Sequence, residues 1–341
     1  MYSELLGRAS HWYRESLKTA PRCIRYLKSR GVTLESIERY GLGYAPPEFD
    51  NLKGAFPAYE DKALELAGLV KKGDKGRYDR FRDRLMFPIS NVAGEVIGFG
   101  GRLIDGEGAK YLNSPQTACF DKGNTLFGLS QALPFIEQSA EVIVAEGYMD
   151  VLMSSQNGVS NIVATLGTAT TEGHVAQLLA LPIRRVVFCF DGDAAGRKAA
   201  VAAMQACVSV IDDASPEIAF AFMPAGEDPD SFVCTHGAEA FRRLLSGADK
   251  LEVFLLRHWE QDKDLSSCEG RAHLAFEALN VLPSIQHQGM FRRLLQTVSV
   301  AANLTVAELL AFCQQAQASV ARKWSPDASE AVQKSSDLRA A

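Results

Sequence analysis

Between about residue 140 and residue 232, short β-rich apolar runs alternate with stretches of helical character. Residues 142–145 (VIVA) read as a buried strand running into Glu146 and Gly147, after which residues 148–155 wind into a helix. Residues 161–166 form a second strand, entering Gly167 and Thr168. A third, residues 186–190, stops at Asp191, Gly192 and Asp193, and the Ala-rich stretch 194–210 after it is a strong helix former. Residues 218–223 make a fourth, with Glu227, Asp228 and Asp230 following in a turn. Strand and helix in alternation predict an α/β fold, a mostly parallel sheet flanked by helices, with ligands outside the carboxyl ends of the strands. From Asp249 the period turns helical: Leu251, Phe254, Leu255, His258 and Trp259 share one face, and Phe291, Leu294, Leu295 and Val298 another. With capping boxes at Ser266/Glu269 and Thr305/Glu308, this predicts a bundle of three or four helices whose stripes are core, His258 included. Residues 324–341 are polar, rich in small side chains, and read as disordered.

The strand ends carry the candidate chemistry. Glu146, Asp191, Asp193, Asp228 and Asp230 all fall there. Asp191 and Asp193 are two apart, so in extended backbone both point to one side. Carboxylates crowded in a crevice stay ionised together only beside a cation. Magnesium, a hard ion with oxygen ligands, is the natural one. For Asp193 and Asp228 the competing role is that of a helix N-cap, and Gly-flanked Asp is ordinary in turns. Upstream, Arg77, Arg80, Arg82 and Arg84 fall within eight residues, and Arg102, Lys110 and Lys122 follow. At strand spacing Arg80, Arg82 and Arg84 share a face opposite Phe81, Asp83 and Leu85. Such a row either tracks phosphates, with Phe81 and Tyr78 free to pack or stack, or guards an edge strand with charge.

Composition narrows the partners. The 341 residues are 47% hydrophobic and 23% charged, the profile of a globular chain of two or three subdomains. Thirty-six basic against 41 acidic residues leave a net charge of −5, so a polynucleotide must be held by a local basic patch and in a salt-sensitive way. The seven cysteines form no CxxC pair, so no zinc site is written in this chain. Their odd number, with no charged-then-apolar leader, fits a reducing cytoplasm, and no apolar run has transmembrane length.

EGYMD, DGDAAGRKAA and GEDPD together resemble the Toprim domain, in the wording of bacterial DnaG-type primases. Topoisomerases, the recombination mediator RecR and the OLD nucleases share the acidic skeleton. The segments from Tyr26 (YLKSRGVTLESIERYGLGYAPPEFDNL), Arg77 (RYDRFRDRLMFPI) and Ala109 (AKYLNSPQTACFDKG), with VATLGTATTEGH at Val163, resemble primases in the same order, over roughly residues 11 to 310. The resemblance implies a Toprim catalytic domain (136–245), preceded by an α+β primase-core subdomain (1–135) and followed by the helical bundle (246–323) and the tail (324–341). Whole primases add an amino-terminal zinc-binding module and a carboxyl-terminal helicase-binding domain, both expected to be lacking here, the first because the match begins so near the start of the chain and the second because the tail is far too short to be that domain.

The activity implied is primer synthesis, template-directed joining of ribonucleoside triphosphates on single-stranded DNA with release of pyrophosphate. Magnesium, or manganese in its place, would be held by Glu146, Asp191, Asp193, Asp228 and Asp230. Glu146 is a metal ligand or a general base, and Asp150 stands behind it. Arg30, Arg80, Arg82, Lys110, Tyr111 and Lys122 would line the nucleotide and template site, although Arg30 also suits a helix C-terminus. Arg197 is either a further phosphate contact or a surface ion pair. Expected partners are a replicative helicase, a single-strand-binding protein or a separate zinc-module protein, acting with a monomer. Two other readings use the same residues, a Toprim nuclease and a partner-dependent single-strand-binding accessory protein.

Overall fold

The computed structural model describes residues 2–74, 76–167 and 169–323, with only the helical backbone over 316–323. Thr168 and the tail 324–341 therefore lie outside the described residues. The chain forms two compact units, one of Met1–Ala203 with Pro216–Asp249, the other of Met204–Ser215 with the chain from Lys250 onward. Among the described residues no single helix is long and apolar enough to cross a membrane.

The first unit opens with α1 (Tyr2–Lys18), α2 (Pro21–Ser29) and α3 (Leu34–Arg39). Then follow β1 (Gly43–Ala45), α4 (Lys62–Leu66), β2 (Val70–Gly73), β3 (Gly76–Asp79), β4 (Arg84–Ser90), β5 (Val96–Leu103) and β6 (Tyr111–Asn113). Strands β1, β4, β5 and β6 make an antiparallel sheet in the order β1-β4-β5-β6, while β2 and β3 pair as a separate hairpin. Strand β4 is buried from Arg84 to Ile89, which is why RLMFPI reads as a nearly unbroken apolar run. Tyr13 of α1 meets Phe99 edge-on at 5.4 Å, locking helix to sheet.

After α5 (Leu129–Ser139) comes the α/β alternation: β7 (Glu141–Ala145), α6 (Tyr148–Gln156), β8 (Ile162–Ala164), α7 (Glu172–Leu179), β9 (Arg185–Phe190), α8 (Ala194–Val210), β10 (Glu217–Phe222), α9 (Pro229–Ser246) and the short β11 (Asp249–Lys250). The sheet order is β11-β10-β9-β7-β8, with β10, β9, β7 and β8 parallel. Continuous burial of VIVA and VVFCF is what a sheet covered on both faces demands. From β7 the chain steps to β8 on one side, then crosses to β9 on the other. The strand order reverses between β7 and β9, and that reversal opens a crevice at their carboxyl ends. The four strands and two helices expected here form within one or two residues of their predicted ends.

Two local expectations are corrected. RFRD is a loop between β3 and β4 rather than a strand, because Asp83 takes a left-handed conformation (φ 51°) and breaks the alternation. Its carboxylate is pinned there by the Tyr44 hydroxyl at 2.6 Å and by Arg22 at 3.0 Å. GEDPD is not a free turn, since Asp228 caps α9 and Asp230 lies in that helix's first turn.

In the second unit α10 (Leu251–Glu260), α11 (Cys268–Val281), α12 (Gln288–Ala302) and α13 (Val306–Lys323) pack on one another as a four-helix group. Leu251, Leu255 and Trp259 are buried, as are Leu294, Leu295 and Val298. The Thr305/Glu308 capping box forms, each residue bonding the other's backbone N–H at 3.2 and 2.8 Å. At α11 the cap is Ser267 rather than Ser266, whose hydroxyl is taken by Asp264.

Candidate active site

A cleft of about 720 Å³ opens over the carboxyl ends of the parallel strands, walled on its other side by β6 and the segments around it. The acidic wall begins with Glu146, next after β7, and Asp191, next after β9, on neighbouring strands. The Asp191 backbone N–H donates to Glu146 Oε1 at 3.3 Å. Asp228 and Asp230 join from the start of α9, and Asp150 from the first turn of α6. Burial is the main force on the protons of Glu146, Asp150, Asp191 and Asp230. It pushes Asp191 up to about 7, helped by the nearby carboxylates of Glu146, Asp228 and Asp193. Burial likewise raises Glu146, and it raises Asp150 well above the carboxylate range.

Asp193 and Asp228 do what their sequence context also allowed. Asp193 is exposed, does not line the cleft, and accepts the Gly196 N–H at 2.8 Å. Only the first DGD carboxylate lines the cleft, although Asp193 stays near enough to raise the proton affinity of Asp191 and Glu146. Asp228 lines the cleft yet caps α9 through Ser231 N at 2.7 Å. Asp230 is ion-paired with Arg30, the C-cap of α2, so this arginine reaches the acidic wall itself. Arg197 is exposed and outside the cleft.

The opposite wall is basic. Arg80, Arg102, Lys110 and Lys122 line it, with Tyr111. Arg80, Lys110 and Lys122 make no ion pair among the described residues. Burial lowers the pKa of Arg80, and burial together with Arg80 lowers that of Lys122. Arg80 and Lys122, half-buried and close together without an ion-pair partner, make an anion site by their chemistry with the exposed Lys110 lining the same cleft. Arg82 is the exception, since it lies outside the cleft between the rings of Phe49 and Tyr78, at 4.8 and 5.0 Å from their centroids. Phe81 is core, and Arg84 is buried with its guanidinium on the carbonyls of Gly101 and Ala109.

Three contributors escaped the sequence. Asn113 ties the walls together: its carbonyl accepts from Arg80 at 2.7 Å, its Oδ1 from the Tyr148 hydroxyl at 2.8 Å, and its Nδ2 donates to Leu166 O at 2.9 Å. Tyr148 stacks on Phe87 at 4.9 Å and leans on Tyr111 at 5.7 Å, in space that Gly100 leaves, where a Cβ would fall 2.3 Å from the phenol oxygen. Phe49 is 65% exposed beside Arg82. Only the family wording KYLNSP and EGYMD hinted at the first two, and nothing marked the third.

Among the described residues no three acidic, histidine or cysteine side chains are close enough to hold an ion by themselves. The acidic wall nonetheless fits a cation, because Asp191 Oδ1 is buried without a hydrogen-bond partner among the described residues while three carboxylates press on it. One or two carboxylates completed by waters and substrate phosphates is how magnesium is usually bound.

The model for the DNA primase catalytic core, N-terminal domain, matches residues 12–133, and that for the Toprim domain matches residues 140–212. A DNA primase domain from Pseudomonas aeruginosa, solved by crystallography, superposes with a TM-score of 0.88 at 40% identity, covering 92% of this chain and all of that one. The chain belongs to the DnaG DNA primase catalytic-core family. A DnaG primase catalytic domain bound to single-stranded DNA is similar with a TM-score of 0.83 at 36% identity, over 90% of this chain and 98% of that one. Among whole primases, that of Pseudomonas aeruginosa is 44% identical over 82% of this chain and that of Escherichia coli K12 40% identical over 83%. The chain spans 43% and 49% of their lengths, about half of the curated relatives it matches.

Proposed function

We propose that this chain is the polymerising core of a primase, joining ribonucleoside triphosphates into short RNA on a single-stranded DNA template. The carrying observation is the cleft itself, where an acidic wall with an orphaned Asp191 oxygen faces Arg80, Lys110 and Lys122, none of them ion-paired among the described residues. Membership of the primase core family supports the same reading.

Glu146 and Asp191, with Asp228 and Asp230 beside them and Asp193 from the helix cap, would hold magnesium. Bound there, the ion would neutralise triphosphate charge and acidify the attacking 3′ hydroxyl. The chain's own groups do the rest. Lys110, Lys122 and Arg80 bind the triphosphate, and Lys110 and Arg80 also offset the charge that grows on its oxygens as the 3′ oxygen bonds to the α-phosphorus and the bond to the leaving pyrophosphate breaks. Glu146, with its raised affinity for a proton, is suited to accept the hydroxyl proton if it does not ligate the ion. Arg30 presents charge to the template while orienting Asp230, and Tyr111 is held by Arg102 at 2.6 Å. Arg82, Phe49 and Tyr78 form a cation–aromatic platform suited to a phosphate and an unstacked base.

We assign the work to three parts: residues 1–135 for template and nucleotide, 136–245 for chemistry, and 246–323 as a helical support. The protein would act as a cytoplasmic monomer, with start-site choice supplied by a zinc-binding module and recruitment by a helicase or single-strand-binding protein. The test is incubation with single-stranded DNA, magnesium and labelled ribonucleotides beside Asp191→Ala. Short RNA from the wild type alone is expected, with the variant down at least about a hundredfold. Cut DNA in place of RNA would make the protein a nuclease.

A further inference from the structure

The stretch TTEGH, within the longer segment at residues 163–174, contributes nothing to the lining of the cleft, yet α7, which it opens, is built against the turn that carries Lys122. That turn, Lys122–Asn124, is capped by Asp121, which accepts the Gly123 N–H at 2.9 Å and the Asn124 side-chain amide at 2.7 Å. Thr171 donates its hydroxyl to the Gly123 carbonyl and accepts the His174 N–H at 3.1 Å. Gly173 lets the helix come this near, since a Cβ there would stand 1.8 Å from Asn124 Oδ1.

His174 is fully buried. Its Nε2 lies 2.7 Å from the Lys122 carbonyl, and its Nδ1 receives the Thr171 backbone N–H at 3.2 Å. A carbonyl can only accept and a backbone N–H can only donate, so Nε2 carries the hydrogen and Nδ1 a lone pair. The ring is neutral, in one tautomer, and burial holds its pKa below the ordinary value. An uncharged donor therefore grips the main chain at the residue whose ammonium group stands in the cleft.

We propose that His174 is a positioning residue of the nucleotide site, fixing the backbone at Lys122 so that the ammonium group is set in advance for the triphosphate. This rests on the nucleotide reading of the cleft. It gives the TTEGH motif a task in binding that capping a helix alone would not require.

Two substitutions separate the Nε2 contact to Lys122 from the Nδ1 contact to Thr171. His174→Gln puts an amide donor where Nε2 was and keeps the bond to Lys122. His174→Asn puts an acceptor where Nδ1 was and keeps the bond to Thr171. Initial rates of ribonucleotide incorporation on single-stranded DNA are measured against triphosphate concentration for both, beside Lys122→Ala. For His174→Asn and Lys122→Ala we expect KM to rise about tenfold with kcat little changed, the signature of lost uniform binding, and for His174→Gln a KM close to wild type. If His174→Asn matches the wild type while Lys122→Ala is impaired, the positioning role is overturned and the nucleotide reading stands. If Lys122→Ala itself leaves KM unchanged, the nucleotide assignment of Lys122 falls, and the proposal with it. Melting curves accompany each variant, and were His174→Asn not to fold, His174→Gln decides alone: a wild-type KM supports the proposal and a raised one overturns it.

Discussion

Asp79 shows how much a single buried group can carry in this protein. Its carboxylate is 1% exposed, takes the Tyr59 hydroxyl at 2.6 Å and the Leu52 N–H at 2.9 Å, and is pushed by burial up to about 6. The folded state therefore holds this proton more tightly than the unfolded chain, whose Asp titrates near about 3.9. The group's contribution to stability is whole below about pH 4 and is lost as pH rises through about 6. Denaturant melts at pH 4, 5, 6 and 7 should show wild-type stability falling more steeply across that window than Asp79→Asn, and parallel curves would contradict this. At the same scale, Glu146 and Asp191 were legible because an acid straight after a β-rich run must emerge at a strand end. Asn113 and Tyr148 were not, since their bond joins residues 35 apart in sequence and exists only once β6 and α6 are packed.

Among the elements, the β3–β4 loop departs most from its sequence pattern. Alternating Arg and apolar positions read as a strand, and a left-handed Asp83 undoes it by sending Phe81 into the core, Arg80 to the cleft and Arg82 onto Phe49 and Tyr78. Local pattern cannot register such a break, because the hydrogen bonds that hold Asp83 come from Tyr44 and Arg22. The platform so made has a measurable consequence. Anisotropy titrations with a labelled single-stranded oligonucleotide should show Phe49→Ala losing about 1–3 kcal/mol of binding, the worth of one base stacked on an aromatic ring. Arg82→Ala should also weaken binding and lower the salt slope by about 0.7, one phosphate contact on a single strand. Unchanged affinity and slope in both would move the template elsewhere.

At the scale of the molecule, the parallel sheet was legible because each strand is a short apolar run closed by Gly, with an acid beside it at β7, β9 and β10, and the reversal between β7 and β9 then fixes where a ligand must go. The antiparallel sheet β1-β4-β5-β6 was less so, since β1 and β4 pair across some forty residues. What the fold accomplishes is to bring that sheet's basic edge over the acidic strand ends. The chain matches about half of its whole relatives, so the most direct test of the cleft bypasses the choice of start site. We would measure extension of a preformed RNA primer annealed to a DNA template, varying ribonucleotide concentration, for the wild type, Asp191→Ala and Lys110→Ala. The account predicts extension by the wild type, a kcat at least about a hundredfold lower for Asp191→Ala, and a raised KM for Lys110→Ala. Extension undiminished in Asp191→Ala would contradict it.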